Sequence, residues 1–437
     1  MPSLIARRAV GALSAIPRRL LSDTASVGPD GALSVGGCAV ADLAADFGTP
    51  LFVYDEAHLR SRCQEAVAAF GHQRVIYATK AFLCTAMARL AYDEGLLLDV
   101  ASGGELHVAL AAGVPAGACA LHGNNKSLAE LGMAIAAGVR HIVVDSFDEL
   151  DRLDALAASG AGPTPKVLLR ITPGVHAHTH EFIATGQDDS KFGFNLGNGD
   201  ALRAVDRARR SSSVELVGLH CHIGSNVFEA SSFAKAAEVM ADFAVPLDLA
   251  ELVLGGGLGV AYVESEEAPT ITQWGNVLLD ACDALGVRSN VSVEPGRSIV
   301  AAAAMTVYTV GTIKEIPGVR TYVAVDGGMS DNPRPVLYGS GYESFLPRSV
   351  DAERPLTARL VGKHCESGDV LSFEARLPAD IAVGDLLAMR VTGAYGHSMG
   401  SNYNKITRPP VVFVADGRAR LVVRRETFDD LLATDVG

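Results

Sequence analysis

The chain holds 437 residues, 49% of them apolar and 20% charged. That length is too great for one ordinary core, so two domains are expected, and the composition is that of a packed, soluble enzyme rather than a disordered or fibrous chain. Lys and Arg number 37 against 50 Asp and Glu, and the net charge of −13 excludes the basic face that nucleic-acid binding requires.

The first 22 residues carry Arg7, Arg8, Arg18 and Arg19 and no acid. The arginines mimic a transit peptide, but Pro17 and the charges interrupt any signal-peptide core. Residues 1–27 are therefore expected to form a disordered N-terminal extension. Residues 28–53, with Leu33-Ser34-Val35 set among glycine-rich turns, are expected to donate strand to a later β module. No apolar stretch is long and clean enough to span a membrane. The seven cysteines, at 38, 63, 84, 119, 221, 282 and 365, are dispersed without a Cys-x-x-Cys pair. That suits reduced thiols in the cytoplasm, and neither a disulfide frame nor a zinc site.

Residues 54–300 alternate between two textures. Short runs rich in Val, Ile and Leu fall at 74–78, 96–101, 118–122, 140–145, 166–171, 214–221, 251–254 and 290–294, as suits parallel strands buried on both faces. Helix-like stretches intervene, among them Thr85–Glu94, Glu105–Ala112, Ser127–Ala137 and Phe147–Ala158. Ser127 with Glu130 three residues on reads as a capping box. Eight strand–helix units in about 220 residues predict a (β/α)8 TIM barrel. From about Ala301 to 437 the runs Met305–Ile313, Thr321–Val325, Ala358–Val361, Asp369–Phe373, Leu386–Val391, Val411–Val414 and Ala419–Arg424 predict an all-β domain, closed by one helix at Thr427–Leu432.

In such a barrel the chemistry gathers at the C-terminal ends of the strands. The first run ends at Lys80, the second leads into Ser102-Gly103-Gly104-Glu105, and the third ends at His122-Gly123-Asn124. The sixth ends in His220-Cys221-His222-Ile223-Gly224-Ser225, the seventh in Gly255-Gly256-Gly257-Leu258-Gly259 and the eighth in Glu294-Pro295-Gly296-Arg297. Lys80 at a buried strand end is expected to be desolvated, and a desolvated amine is a nucleophile for an aldehyde. Closure of the barrel would make the first and last strands neighbours, so that Glu294 faces the same pocket and can keep a pyridine nitrogen protonated. The glycines let the backbone approach an anion, and they fall near strands seven and eight, where barrels hold phosphate; they lack the dinucleotide spacing. The His220-x-His222 spacing places both imidazoles on one strand face, where one can stack on a cofactor ring; with no third ligand at suitable spacing, no metal is expected. Each feature has an ordinary alternative: a surface lysine, a tight turn, a core histidine and, for Arg334, a surface ion pair.

The blocks Tyr77–Phe82, His220–Ser225, Gly255–Gly259, Glu294–Arg297, Asn332-Pro333-Arg334-Pro335 with Tyr338, His364–Asp369 and Gly393-Ala394-Tyr395-Gly396 together resemble the barrel-type pyridoxal-phosphate decarboxylases of alanine-racemase-like fold (fold type III). Within them they are most similar to the diaminopimelate decarboxylase family, over residues 28–430. The resemblance implies decarboxylation of meso-2,6-diaminopimelate to L-lysine and carbon dioxide, the last step of lysine biosynthesis. It implies that Lys80 carries pyridoxal 5′-phosphate covalently, that His222 stacks on its ring and that Glu294 pairs with the ring nitrogen. Ser225, Gly257, the backbone at Gly296 and Tyr395 then hold the phosphate, Arg297 also borders the cofactor, and Arg297, Arg334, Tyr338 and Tyr395 meet the substrate. Cys365, a proton donor, and Glu366, for the distal ammonium, are expected from the second subunit of a head-to-tail homodimer. Two arginines and a tyrosine independently suit a carboxylate clamp, since guanidinium groups bind carboxylates through paired hydrogen bonds. Asn226, where the family has glutamine, and His397, where an aromatic is common, depart from the pattern.

Competing readings are a relative acting on another amino acid or a carrier-linked substrate, a racemase, a non-catalytic regulator, and a phosphate-binding barrel without pyridoxal. A racemase of this fold is expected to place an arginine at the ring nitrogen, so Glu294 argues against it. A regulator is expected to lose the lysine or the cysteine, and both Lys80 and Cys365 stand.

Overall fold

A computed structural model describes residues 16–174 and 187–437. Eight parallel strands run in chain order around one sheet: Ile76–Ala78, Leu97–Val100, Cys119–Leu121, His141–Val144, Lys166–Thr172, Glu215–Cys221, Glu251–Val253 and Asn290–Ser292. The first four are buried along their whole length, as unbroken apolar runs demand when helices cover one face and the barrel interior fills the other. The sheet closes on itself. Val75 pairs in parallel with Val293, Ile76 N–H donates to Val293 O at 2.9 Å, and Ala78 N–H donates to Pro295 O at 3.0 Å.

The helices lie outside this sheet, and local sequence fixes where several begin. Ser127 and Glu130 form both arms of the expected capping box at the start of Leu128–Ala137, and Ser102 and Ser146 cap Gly103–Ala111 and Phe147–Ala158. The outer layer is locked around the sole tryptophan. Trp274, fully buried on the helix Ile271–Ala284, packs against Phe70 at 4.9 Å and Phe233 at 5.4 Å between ring centroids. Three helices, Glu56–Phe70, Ala230–Ala244 and Ile271–Ala284, meet at that indole.

The second region is built on one long strand, Ala304–Ile316. Its first half pairs antiparallel with Leu51–Asp55 and Leu386–Arg390, and its second half with Arg320–Val325. Leu356–Val361 and Val370–Leu377 extend the sheet at one edge, and Val411–Ala415 and Arg418–Val423 at the other. Leu51–Asp55 is buried at every position, sits inside this sheet, and leads directly into the first barrel helix, Glu56–Phe70. Asp55 turns that corner: its carboxylate caps the helix at His58 N–H and also accepts from Thr24 N–H and Oγ1.

Three expectations change. Residues 16–27, assigned to a disordered extension, are packed: Ile16, Leu20 and Leu21 are buried and Arg18 pairs with Asp351, because their apolar side chains find a face of the β region. Residues 1–15 of that extension lie outside the described residues. Residues 28–53, expected to give strand to the β module, do so only at their end: Leu51–Asp55 pairs with Ala304–Ile316 and Val411–Ala415, while Leu33–Val35 and Cys38–Ala39 form a separate three-stranded sheet with Ser26–Val27. The helix expected at Thr427–Leu432 is reduced to one turn, Asp430–Leu432, since Asp430 is held by Arg424 and by Thr427 instead of seeding further turns.

Phe233→Ala would leave a void beside Trp274. It is expected to destabilise the fold by about 3–5 kcal/mol, read as a shift in the urea midpoint followed by Trp274 fluorescence.

Candidate active site

A cavity of about 800 Å³ opens at the C-terminal ends of the barrel strands and is completed by residues of the β region. Lys80 and Glu294 both line it, as closure of the first strand on the eighth requires. So do His222, Ser225, Gly257, Gly296, Arg297, Arg334, Tyr338 and Tyr395. Lys80 sits in the single turn Thr79–Ala81 just past the first strand. It is exposed to the cavity and not desolvated as expected, because the strand end opens on that space instead of on packed side chains.

Glu294 is buried among imidazoles. Its Oε2 lies 2.9 Å from His220 Nε2, and its Oε1 lies 3.3 Å from His122 Nε2 and makes no hydrogen bond. Burial pushes His122, His220 and His222 well below the usual imidazole value, so all three are neutral at physiological pH. A neutral His220 donates Nε2–H to Oε2 and leaves Oε1 as a buried acceptor aimed at the cavity. That orphaned oxygen suits the protonated nitrogen of a pyridine ring. Burial, reinforced by Glu294, pushes the Asp99 carboxyl well above its ordinary value, with Lys80 pulling the other way. His122, His220 and Glu294 offer ligand atoms within 4.8 Å of one another, a set the sequence spacing did not reveal. His220 and His222 both line the cavity and differ in partner: His220 turns to Glu294, and His222 Nδ1 accepts from Gly256 N–H at 3.2 Å.

The glycine run is dictated by close approach of main chains. A Cβ on Gly256 would stand 1.9 Å from Glu294 O, and one on Gly257, at φ +109°, 2.1 Å from Gly224 O. Strand ends six, seven and eight are thereby pressed together, and Ser225, Gly257 and Gly296 share one corner of the cavity. A phosphate fits that corner, where a side chain on either glycine would not.

Arg297 links this corner to the far wall. Its Nη2 donates to Ser225 Oγ at 2.8 Å and its Nη1 to Tyr262 Oη at 2.6 Å, and its guanidinium lies 4.9 Å from the Tyr395 ring centroid. Arg334 opens the short helix Arg334–Tyr338 and donates to Tyr342 Oη at 2.6 Å. Burial pushes the Tyr342 phenol up to about 12, although Arg334 beside it pulls down, so this hydroxyl stays neutral. Both arginines are buried, and among the described residues no carboxylate pairs with either. Arg334 is thus not the surface ion pair that was its ordinary alternative. Two buried, uncompensated guanidinium groups facing one cavity call for an anionic ligand.

Residues 56–301 match the family model described as "Pyridoxal-dependent decarboxylase, pyridoxal binding domain". The diaminopimelate decarboxylase of Mycobacterium bovis is 48% identical over 93% of this chain and 95% of its own length, and that of Bacillus subtilis 46% over 95% and 98%. The crystal structure of the diaminopimelate decarboxylase of M. jannaschii in co-complex with L-lysine superposes with a TM-score of 0.88 at 33% identity, covering 95% of this chain and 98% of that one. The chain belongs to the diaminopimelate decarboxylase family.

Asp99, Arg170, Tyr262 and Tyr342 line or support this family's cavity here, yet no sequence motif singled them out. Arg170 had a signal: a charge inside the apolar run Val167-Leu168-Leu169-Arg170-Ile171 must face the barrel interior, and it does so near Asp145, 3.6 Å away. Cys365 and Glu366 are exposed and do not line this chain's own cavity. His397, a departure from the family pattern, packs edge-on against Phe52 and Phe82, each at 5.8 Å. Burial lowers it to about 4, so a neutral ring does an aromatic's packing there.

The depressed histidines set a pH dependence. Between their lowered folded values and the ordinary value near 6.5, the unfolded chain binds more protons than the folded one, so stability falls as pH drops through about 6.5. His122→Asn is expected to lose less stability between pH 7.5 and 5.5 than the parent, by up to about 1.4 kcal/mol per pH unit, read from urea midpoints at each pH.

Proposed function

We propose that this cavity carries out the pyridoxal-phosphate-dependent decarboxylation of meso-2,6-diaminopimelate to L-lysine and carbon dioxide. The observation that carries the reading is what the cavity gathers. One space is lined by the Lys80 amine, by Glu294 with its unpaired buried Oε1, and by Arg297 and Arg334, two guanidinium groups that no carboxylate among the described residues compensates. Family membership supports it, as does the L-lysine that accompanies the M. jannaschii relative.

Lys80 Nζ is the point of covalent attachment for the cofactor aldehyde. Ser225, Gly257, the backbone at Gly296 and Tyr395 would hold its phosphate, Arg297 would border the cofactor, and His222 would flank its ring. When bound, pyridoxal phosphate supplies an electron sink for the pair released as the Cα–carboxylate bond breaks. Glu294 Oε1 would accept the hydrogen bond of the ring nitrogen, and neutral His220, donating into Oε2, orients the carboxylate. Arg297, Arg334 and Tyr338 grip the carboxylate at the far end of the substrate and so fix the reacting end, which spends remote binding energy on orientation. An ornithine or lysine decarboxylase would instead want acids for a bare distal amine.

Cys365 and Glu366 act in the neighbouring subunit of a homodimer. Their exposure and their absence from this chain's own cavity support that placement. Cys365 Sγ, or Lys80 Nζ, returns a proton to Cα, and Glu366 binds the distal ammonium. Seven unpaired cysteines support a reducing, cytoplasmic setting.

Lys80→Ala is expected to abolish both the visible absorbance of the bound cofactor and its fixation by borohydride; a retained band would mean another lysine is the anchor. Cys365→Ala is expected to lower carbon dioxide release while the absorbance stays. Mixing the two impaired variants under conditions of subunit exchange should restore about a quarter of wild-type activity from mixed dimers, since half the dimers are mixed and each has one intact site. No recovery would place Cys365 outside the shared site.

A further inference from the structure

The two clamp arginines are not independent, because both rest on Tyr262. This tyrosine follows the glycine run, is buried, and lines the cavity. Its hydroxyl accepts Arg297 Nη1–H at 2.6 Å, and its ring face carries the Arg334 guanidinium 4.4 Å from the centroid. Its edge meets Tyr342 at 5.2 Å and 78°, and Tyr342 Oη takes the remaining hydrogen bond from Arg334. A hydroxyl and a ring face of one residue thus fix two guanidinium groups at once, through a hydrogen bond and a cation–π contact.

The loop that carries Tyr262 is held from four sides. Glu266 Oε2 accepts from Tyr262 N–H at 2.7 Å, and Arg390 Nη2 donates to Tyr262 O at 3.3 Å. Glu264 pairs with buried Arg354, and Glu264 N–H donates to Glu343 Oε1 at 3.3 Å. The fourth hold comes from the N-terminal segment: Arg19 donates to Glu264 O at 2.6 Å and to Glu266 O at 3.2 Å. Arg19 is placed by its neighbours, with Leu20 and Leu21 buried after it and Arg18 paired to Asp351 before it.

We propose that Tyr262 is the positioning residue that sets both guanidinium groups of the substrate clamp, and that Arg19 ties the N-terminal segment to substrate affinity by holding the Tyr262 loop. The inference rests on the reading that Arg297 and Arg334 grip the distal carboxylate. Tyr262 forms no bond to substrate and transfers no proton; it decides where two charges stand.

The test uses the holoenzyme of the full chain, with Tyr262→Phe, Arg19→Ala and Arg19→Lys. Steady-state turnover of meso-diaminopimelate is measured beside equilibrium binding of L-lysine, which keeps the distal carboxylate, and of pentane-1,5-diamine, which has none. Tyr262→Phe is expected to raise KM and the lysine Kd together by about tenfold, the loss of one charge-assisted hydrogen bond, while kcat moves less than about threefold. Diamine affinity and cofactor absorbance should stay unchanged. Arg19→Ala, at an exposed position that threatens no core, should raise KM and the lysine Kd by about threefold, with Arg19→Lys in between. Unchanged lysine affinity in both Tyr262→Phe and Arg19→Ala would overturn the proposal, as would equal losses for lysine and diamine. A wild-type protein that binds the diamine as tightly as lysine would instead overturn the carboxylate clamp itself, and the proposal with it.

Discussion

The site depends on a few main-chain hydrogen bonds that join the first barrel strand to the last. Ile76 and Ala78 donate to Val293 and Pro295, and Val293 donates back to Arg74. Lys80 and Glu294 lie more than two hundred residues apart in sequence, and this seam is what brings them to one cavity. The seam in turn requires glycine. Gly256 presses against the Glu294 carbonyl and Gly296 approaches the Ala78 carbonyl to within 3.0 Å of where a Cβ would stand, so side chains at these positions would force strand ends seven, eight and one apart.

Inside the cavity, charge is separated by design of the walls. Glu294 is surrounded by imidazoles that burial keeps neutral, and His220 holds it by a hydrogen bond and not by an ion pair. Arg297 and Arg334 are held by hydroxyls and aromatic faces, which orient a guanidinium without neutralising it. Had carboxylates held these arginines, a substrate carboxylate would have had to displace them. Phenols leave the positive charge available to the ligand.

The β region is part of the active site. Arg334, Tyr338 and Tyr395 come from it, and Tyr395 N–H donates to Ala81 O at 2.8 Å, one residue past Lys80. The strand Leu51–Asp55, buried in the β sheet and running straight into the first barrel helix, fastens the two regions together. The N-terminal residues that pack at this junction reach the loop behind the clamp. Arg19, in a segment expected to be disordered, thereby contacts the loop that carries Tyr262.

The sequence by itself determined the strand–helix rhythm, the change to strand and turn after about residue 301, and the residues at strand ends that carry chemistry. Each of these is written locally: apolar runs of strand length, Ser127 with Glu130 at a helix start, glycines where the chain must turn, and Lys80 and Glu294 as polar terminators of buried runs. Tertiary structure alone decided which of those ends converge. His122 beside Glu294, Tyr262 beneath two arginines and Arg19 on the Tyr262 loop are contacts between residues 35 to 247 positions apart, and periodicity carries no information about them. Closure also decided that Lys80 opens onto a cavity instead of being sealed in the core, and a buried apolar face drew residues 16–27 out of their expected disorder. Local pattern sets what each segment is, while its neighbours are set by how eight twisted strands and a second sheet can pack without leaving polar groups unpaired.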